Sequence, residues 1–236
     1  MSVHKEHRMR VKTRFQEQGL DVFNEHQVLE LLLFYCIPRR DTNEIAHNLL
    51  NRFGTLAQVI DAPVKELEKV DGMGKSAALF LNLIKSVARY YLVNRVTQNK
   101  ILRTIDECGQ YMLPYFNGRH RETVFLLCLD AKCKVLSCRE VEEGSVNSAG
   151  ISIRKIVDIA LTENATSVVL AHNHPSGLAL PSPEDVATTQ KIAHALRLVD
   201  VILTDHIVVA DDDYVSMVHS RCYDPACTSV ELGEYL

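Results

Sequence analysis

The sequence predicts an α+β fold in two domains, a helical N-terminal domain over residues 1–98 followed by a mixed β-sheet domain flanked by helices over residues 101–236. Three observations predict it. A chain of 236 residues exceeds the usual single-domain size and is long enough for two modest hydrophobic cores. Up to about residue 95 the apolar positions recur at three and four with no sustained alternation, which is helical periodicity. From residue 101 onward strand-like runs are interspersed with helical ones, the pattern of helices packed on a mostly antiparallel sheet. With 47% hydrophobic and 24% charged residues, disordered and fibrous classes are excluded.

Along the first domain, His26 to Tyr35 reads as the first strong helix, stopped at Ile37-Pro38 because proline cannot continue the hydrogen-bond ladder. Asp41 is placed to cap a second helix running towards Phe53, which Gly54 ends. A third helix near Pro63 to Val70 leads through Asp71-Gly72-Met73-Gly74 into a long helix, Lys75 to Val93, and the polar stretch Asn94 to Lys100 reads as the linker. Beyond it, Thr123 to Asp130 and Lys134 to Val146 read as strands joined by a short turn. Ile153, Ile156, Val157, Ala160 and Leu161 follow the spacing of an amphipathic helix. Thr166 to His172 is a short buried strand; a loop, a helix from about Pro183 to Leu198, a strand Val201 to Ala210, an acidic turn and a last strand near Tyr214 to His219 follow.

The N-terminal residues are charged and lack the apolar core of a secretory signal, and the apolar run Leu29 to Ile37 is too short to span a bilayer, so a cytoplasmic protein without a membrane partner is expected. Seven scattered cysteines, an odd number, fit reduced thiols, and the spacing of Cys222 and Cys227 matches no zinc finger. Residues 1–100 hold 15 Lys and Arg against 11 Asp and Glu, while residues 101–236 hold 11 against 19. That balance permits nucleic-acid contact by the first half without arguing for it alone.

The informative string is Ala171-His172-Asn173-His174-Pro175 leaving a strand, followed by Ser182-Pro183-Glu184-Asp185 opening a helix. Residues two apart on an extended chain point to the same side, so His172 and His174 can converge, and Pro175 then turns the chain away. Ser182 is a good N-cap and Pro183 suits the first helical position, which puts Asp185 in the first turn. Two imidazoles and one carboxylate form the three-ligand set of a catalytic zinc with a fourth position left for water; structural zinc sites fill all four. The expectation is one zinc per chain held by His172, His174 and Asp185. The competing reading makes them polar strand-end residues, with Asp185 only completing a cap.

The spacing H-x-H-P-x6-S-x-x-D resembles the signature of the JAB/MPN (JAMM) metalloproteases, and NSAGISIRKIVDIAL with AHNHPSG resembles their RadC branch. The stretches ELLLFYCIPRRDTNEIAHNLLNRFG and VDGMGKSA also look like the helical domain that precedes the metal domain there, so the resemblance covers nearly the whole chain. It implies an MPN/JAB-type domain and a zinc-dependent hydrolase acting on the peptide or isopeptide bonds of a protein or peptide substrate, with His172, His174 and Asp185 as ligands. It further implies that a serine at the place of Ser182 helps hold the tetrahedral intermediate and that a strand glutamate takes a proton from the reacting water. Glu140, Glu142 and Glu143 all precede Gly144, and Glu140 is taken as the candidate. Strict alternation would put Glu140 and Glu142 on one face and Glu143 on the other; the competing reading makes all three a solvated acidic edge.

Leu67 to Ala78 resembles a helix-hairpin-helix, a module that can hold nucleic-acid backbone, in which Gly72 and Gly74 would let backbone N–H groups approach a phosphate and Lys75 would add charge. The same residues also suit a plain tight turn between helices. An alternative function is thus a nucleic-acid-associated, DNA-repair-type protein whose MPN domain is an inactive interaction platform; a metal-dependent nuclease would use the same metal site. His206, in an apolar strand beside Asp205, reads either as an extra ligand or proton shuttle or as a buried structural pair. His194 and His219 have no convincing partners in the sequence, and the zinc deaminase and H-E-x-x-H signatures are absent.

Overall fold

The computed structural model describes residues 3–38, 40–96, 100–144, 151–175 and 177–226. It contains two compact units, residues 1–90 and 91–236. The division falls inside a helix that runs on to Val96, so the stretch expected to be linker begins as helix.

The first unit is built from α1 (Val3–Gln18), α2 (Glu25–Cys36), α3 (Asn43–Phe53), α4 (Leu56–Asp61), α5 (Val64–Leu67) and the start of α6 (Lys75–Val96). Its core is Leu29 and Leu33 of α2, Ile45 and Leu49 of α3, Val59, Leu67, Ala78 and Leu81, all buried. Short-range chemistry sets the helix ends: Asn24 with Gln27, and Thr55 with Gln58, form reciprocal capping boxes, and Gly54 closes α3 at φ 97°. The expectation that Asp41 caps α3 is corrected: Thr42 occupies the cap position, without a side-chain cap bond. Asp41 acts from one residue earlier, its Oδ1 accepting the Asn43 N–H at 2.9 Å.

Gly72, between α5 and α6, has φ +83°, and a Cβ built there would lie 2.7 Å from the Ile45 side chain. Gly74 differs, since a Cβ there would meet nothing within 4 Å. Gly72→Ala is therefore expected to destabilise this unit by about 2 kcal/mol. Gly74→Ala should stay within about 0.5 kcal/mol of wild type. Urea unfolding of the two variants checks this, and equal losses would show that the backbone conformation at Gly72 does not carry the turn.

The second unit is a five-stranded sheet in the order β2-β1-β3-β4-β5, made of β1 (Glu122–Leu129), β2 (Val135–Gly144), β3 (Ser167–Asn173), β4 (Ile202–Ala210) and β5 (Asp213–Ser216). Only β3 and β4 are parallel, and the crossover between them carries α9 (Pro183–Arg197). The expected continuation of β2 to Val146 lies outside the described residues.

Alternation divides the sheet into two apolar faces. Val124, Leu126, Cys128, Val168, Leu170 and Leu203 point to one, covered by α9 and α8 (Ile153–Thr162) through Ile192, Leu196, Ile156 and Ala160. Phe125, Leu127, Val169, Ala171, Ile207 and Val209 point to the other, covered by α7 (Ile105–Phe116) through Tyr111, Met112 and Phe116. The six cysteines among the described residues are free thiols. Burial pushes the Cys108 thiol up to about 12 and the Cys128 thiol to about 11, so neither ionises near neutrality. No helix among the described residues is long and apolar enough to cross a membrane.

Candidate metal centre

β3 ends at the centre of the sheet, paired with β1 on one side and β4 on the other. His172 stands opposite Val124 of β1 and Val208 of β4, so its ring projects onto the face covered by α8 and α9. The strand pairing persists one bond further, from the His174 N–H to the Val209 carbonyl at 2.8 Å, which keeps the chain extended through His174. Both imidazoles consequently leave on the same side, with ring centroids 4.7 Å apart. Between them, Asn173 fastens the strand end to its neighbour: its Oδ1 accepts the Thr123 N–H at 2.8 Å, and its Nδ2 donates to the carbonyls of Arg121 and Arg119.

Asp185 arrives from the first turn of α9. Ser182 caps that helix, its Oγ accepting the Asp185 N–H at 3.1 Å and donating to Asp185 Oδ2 at 2.7 Å, while the Ser182 N–H reaches the same oxygen at 2.8 Å. Those bonds tie down Oδ2, and Oδ1 lies 3.3 Å from His172 Nε2. The serine proposed from the sequence to assist at the intermediate thus has its hydroxyl proton directed at the aspartate.

His172, His174 and Asp185 offer ligand atoms that all lie within 4.8 Å of one another. The two Nε2 atoms are 2.9 Å apart, and His174 Nε2 is 3.5 Å from Asp185 Oδ2. Tetrahedral coordination with bonds of ~2.0–2.1 Å separates ligand atoms by about 3.3 Å, so the spacing fits. The donor chemistry fits too. The Leu178 carbonyl, 3.1 Å from His174 Nδ1, can only accept, so that nitrogen carries the proton and His174 Nε2 presents a lone pair. Burial holds His172 down to about 4 against the pull of the Asp185 carboxylate, with His174 lowering it further, so His172 is a neutral imidazole near pH 7. The His172 side chain is 4% exposed, against 18% for His174 and 14% for Asp185, which leaves the approach from solvent on the His174 and Asp185 side.

Behind His172 lies a buried polar chain. His206 Nε2 is 2.8 Å from His172 Nδ1, His206 Nδ1 is 2.6 Å from Thr189 Oγ1, and that hydroxyl donates to the Asp185 carbonyl at 2.6 Å. Burial, with His172 and His174 nearby, holds His206 well below the usual histidine range. Sequence reasoning missed Thr189 altogether, although its position four residues after Asp185, one turn along the same helix face, was a usable signal.

The glutamates are arranged differently from the strict alternation expected. The β1–β2 pairing slips by one residue between Val124, opposite Glu142, and Phe125, opposite Glu140, which leaves Val141 without a partner. The Lys155 ammonium of α8 donates to the carbonyl of that extra residue. In consequence Glu142, Val124 and His172 form one cross-strand row on the α8–α9 face. Glu140 is not brought to the histidines: its carboxylate meets the Arg119 guanidinium at 2.6 Å, and Glu143 meets the same group at 3.2 Å. The expectation that Glu140 and Glu142 share a face is corrected by the bulge. Gly72, Gly74 and Lys75 lie in the first unit, at the turn into α6, where Gly74 and Lys75 are exposed.

The RadC-like JAB domain family matches residues 102–222. The chain is also similar to UPF0758 protein FN0909 of Fusobacterium nucleatum subsp. nucleatum, 32% identical over 219 residues that cover 90% of this chain and 94% of the relative.

Proposed function

Because the chain belongs to the RadC-like JAB domain family, we propose that it is a zinc-dependent hydrolase acting on peptide or isopeptide bonds of a protein or peptide substrate. The observation that carries this reading is the convergence of His172 Nε2, His174 Nε2 and Asp185 at one point, with His174 obliged to present its lone pair there. These three residues would hold the metal. When bound, zinc lowers the pKa of a water towards ~7 and polarises a carbonyl oxygen.

The rest is the work of the chain's own residues. Glu142, across the intervening strand β1 from His172 on the same face, is the carboxylate that accepts the proton of the attacking water and returns it to the leaving amine. With two strand spacings, about 9.5 Å, between their backbones, the side chains of Glu142 and His172 leave room for a water between them. Ser182 holds Asp185 in its coordinating rotamer from the N-cap position of α9. That helix start favours the developing negative charge of a tetrahedral centre. The nucleic-acid reading has no comparable support, since Gly72 is accounted for by its backbone angle and by Ile45.

Zinc-loaded protein assayed against a panel of peptides and ε-lysine-linked isopeptides should cleave a member of the panel, lose that activity on chelation and regain it with zinc. Cleavage that survives chelation, or fully loaded protein that cleaves nothing in the panel, would count against the reading.

A further inference from the structure

We propose that His206 and Thr189 form a buried relay that fixes His172 in the tautomer carrying hydrogen on Nδ1, and thereby presents its Nε2 lone pair to the metal. This rests on the metal reading above. His206 and Thr189 are both fully buried, and the core on that side of the sheet includes Leu170, Ile192, Leu203 and Met217. An apolar pair would fill that space without the cost of desolvating an imidazole and a hydroxyl, which only complete hydrogen bonding offsets.

Proton counting along the chain gives it a direction. The Asp185 carbonyl can only accept, so the single hydroxyl proton of Thr189 goes there, at 2.6 Å. Thr189 Oγ1 must then accept from His206 Nδ1, at 2.6 Å. A neutral His206 with hydrogen on Nδ1 has its lone pair on Nε2, which must accept from His172 Nδ1 at 2.8 Å. What remains on His172 is the Nε2 lone pair, 2.9 Å from that of His174. Both nitrogens of His206 are thus committed, so it is neither an additional ligand nor a shuttle to solvent. The relay also starts and ends on two metal ligands: it joins the side chain of His172 on β3 to the backbone of Asp185 on α9, through a residue of β4. His206 and Thr189 are positioning residues.

The test uses the full chain in three variants, His206→Leu, Thr189→Val and Thr189→Ser, with two readouts. Zinc affinity is measured by competition with a chromophoric chelator. The tautomer of His172 is read in the metal-free protein from two-bond proton–nitrogen correlation spectra. His206→Leu should weaken zinc binding by about 10–100-fold, the usual effect of losing a partner behind a ligand. Thr189→Val should weaken it in the same direction, Thr189→Ser should restore it, and wild-type His172 should show hydrogen on Nδ1 and none on Nε2.

Affinities of His206→Leu and Thr189→Val within twofold of wild type, or wild-type His172 carrying its hydrogen on Nε2, would overturn the relay. If His206→Leu fails to fold, the Thr189 pair decides. Should wild-type protein bind no zinc, the metal reading fails, while the tautomer spectrum still judges the relay separately.

Discussion

Glu142→Gln is expected to slow hydrolysis by about 10²–10⁴-fold, the range typical of losing a general base, while Glu140→Gln leaves the rate within about threefold. The asymmetry follows from one bulge. Without the slip at Val141, Glu140 and Glu142 would share a face; with it, Glu142 alone shares the row of Val124 and His172. Glu140 and Glu143 instead meet Arg119, whose carbonyl is in turn held by Asn173. Glutamine preserves size and removes the basic oxygen, so zinc content should be unchanged in Glu142→Gln. Comparable losses in the two variants, or a loss confined to Glu140→Gln, would show that the register of β2 during turnover is not the one described.

The metal-free protein should lose stability on acidification through a window set by His172. Its folded-state value of about 4 lies below the ordinary histidine value of 6.5. The unfolded chain therefore takes up a proton as pH falls through 6.5, while the folded chain resists until about 4. The contribution is complete above 6.5 and is lost progressively towards 4, of the order of 3 kcal/mol at full extent. His206, lowered mainly by burial, acts in the same direction. Asp205, raised mainly by burial, acts in the opposite one: its contribution is present at low pH and lost as pH rises through its folded-state value. Urea unfolding of chelated protein at pH 7 and pH 5 checks the sign, and His172→Gln should flatten the difference. An equally steep difference in His172→Gln would place its origin elsewhere.

The three residues that could hold a metal were legible as a group because each obeys a local rule. His172 and His174 converge through the period of an extended strand, and Asp185 is placed by the cap that Ser182 builds within three residues. Strands β1 and β3 were legible as continuous apolar runs, since both are covered on two faces. What escaped depends on partners distant in sequence. The bulge at Val141 is a property of the β1–β2 pairing, and no pattern in Arg139 to Gly144 announces it. His206 was visible as a histidine in an apolar strand, but its approach to His172 depends on the parallel register of β3 and β4. Helix α7 is not among the elements expected from the sequence, although Thr104 and Glu107 spell a capping box. Pro114 and Gly109 within it are poor helix formers, and Gly109 is kept because Tyr214 of β5 packs where a Cβ would sit.

The metal centre is tested most directly by the zinc content per chain of protein purified without added metal, for wild type beside His174→Ala and Asp185→Ala. Wild type should hold about one zinc per chain and both variants should lose nearly all of it, the three-ligand site losing a third of its protein donors in each. Wild-type protein that takes up no zinc even when supplied with it, or variants that retain it fully, would contradict the site.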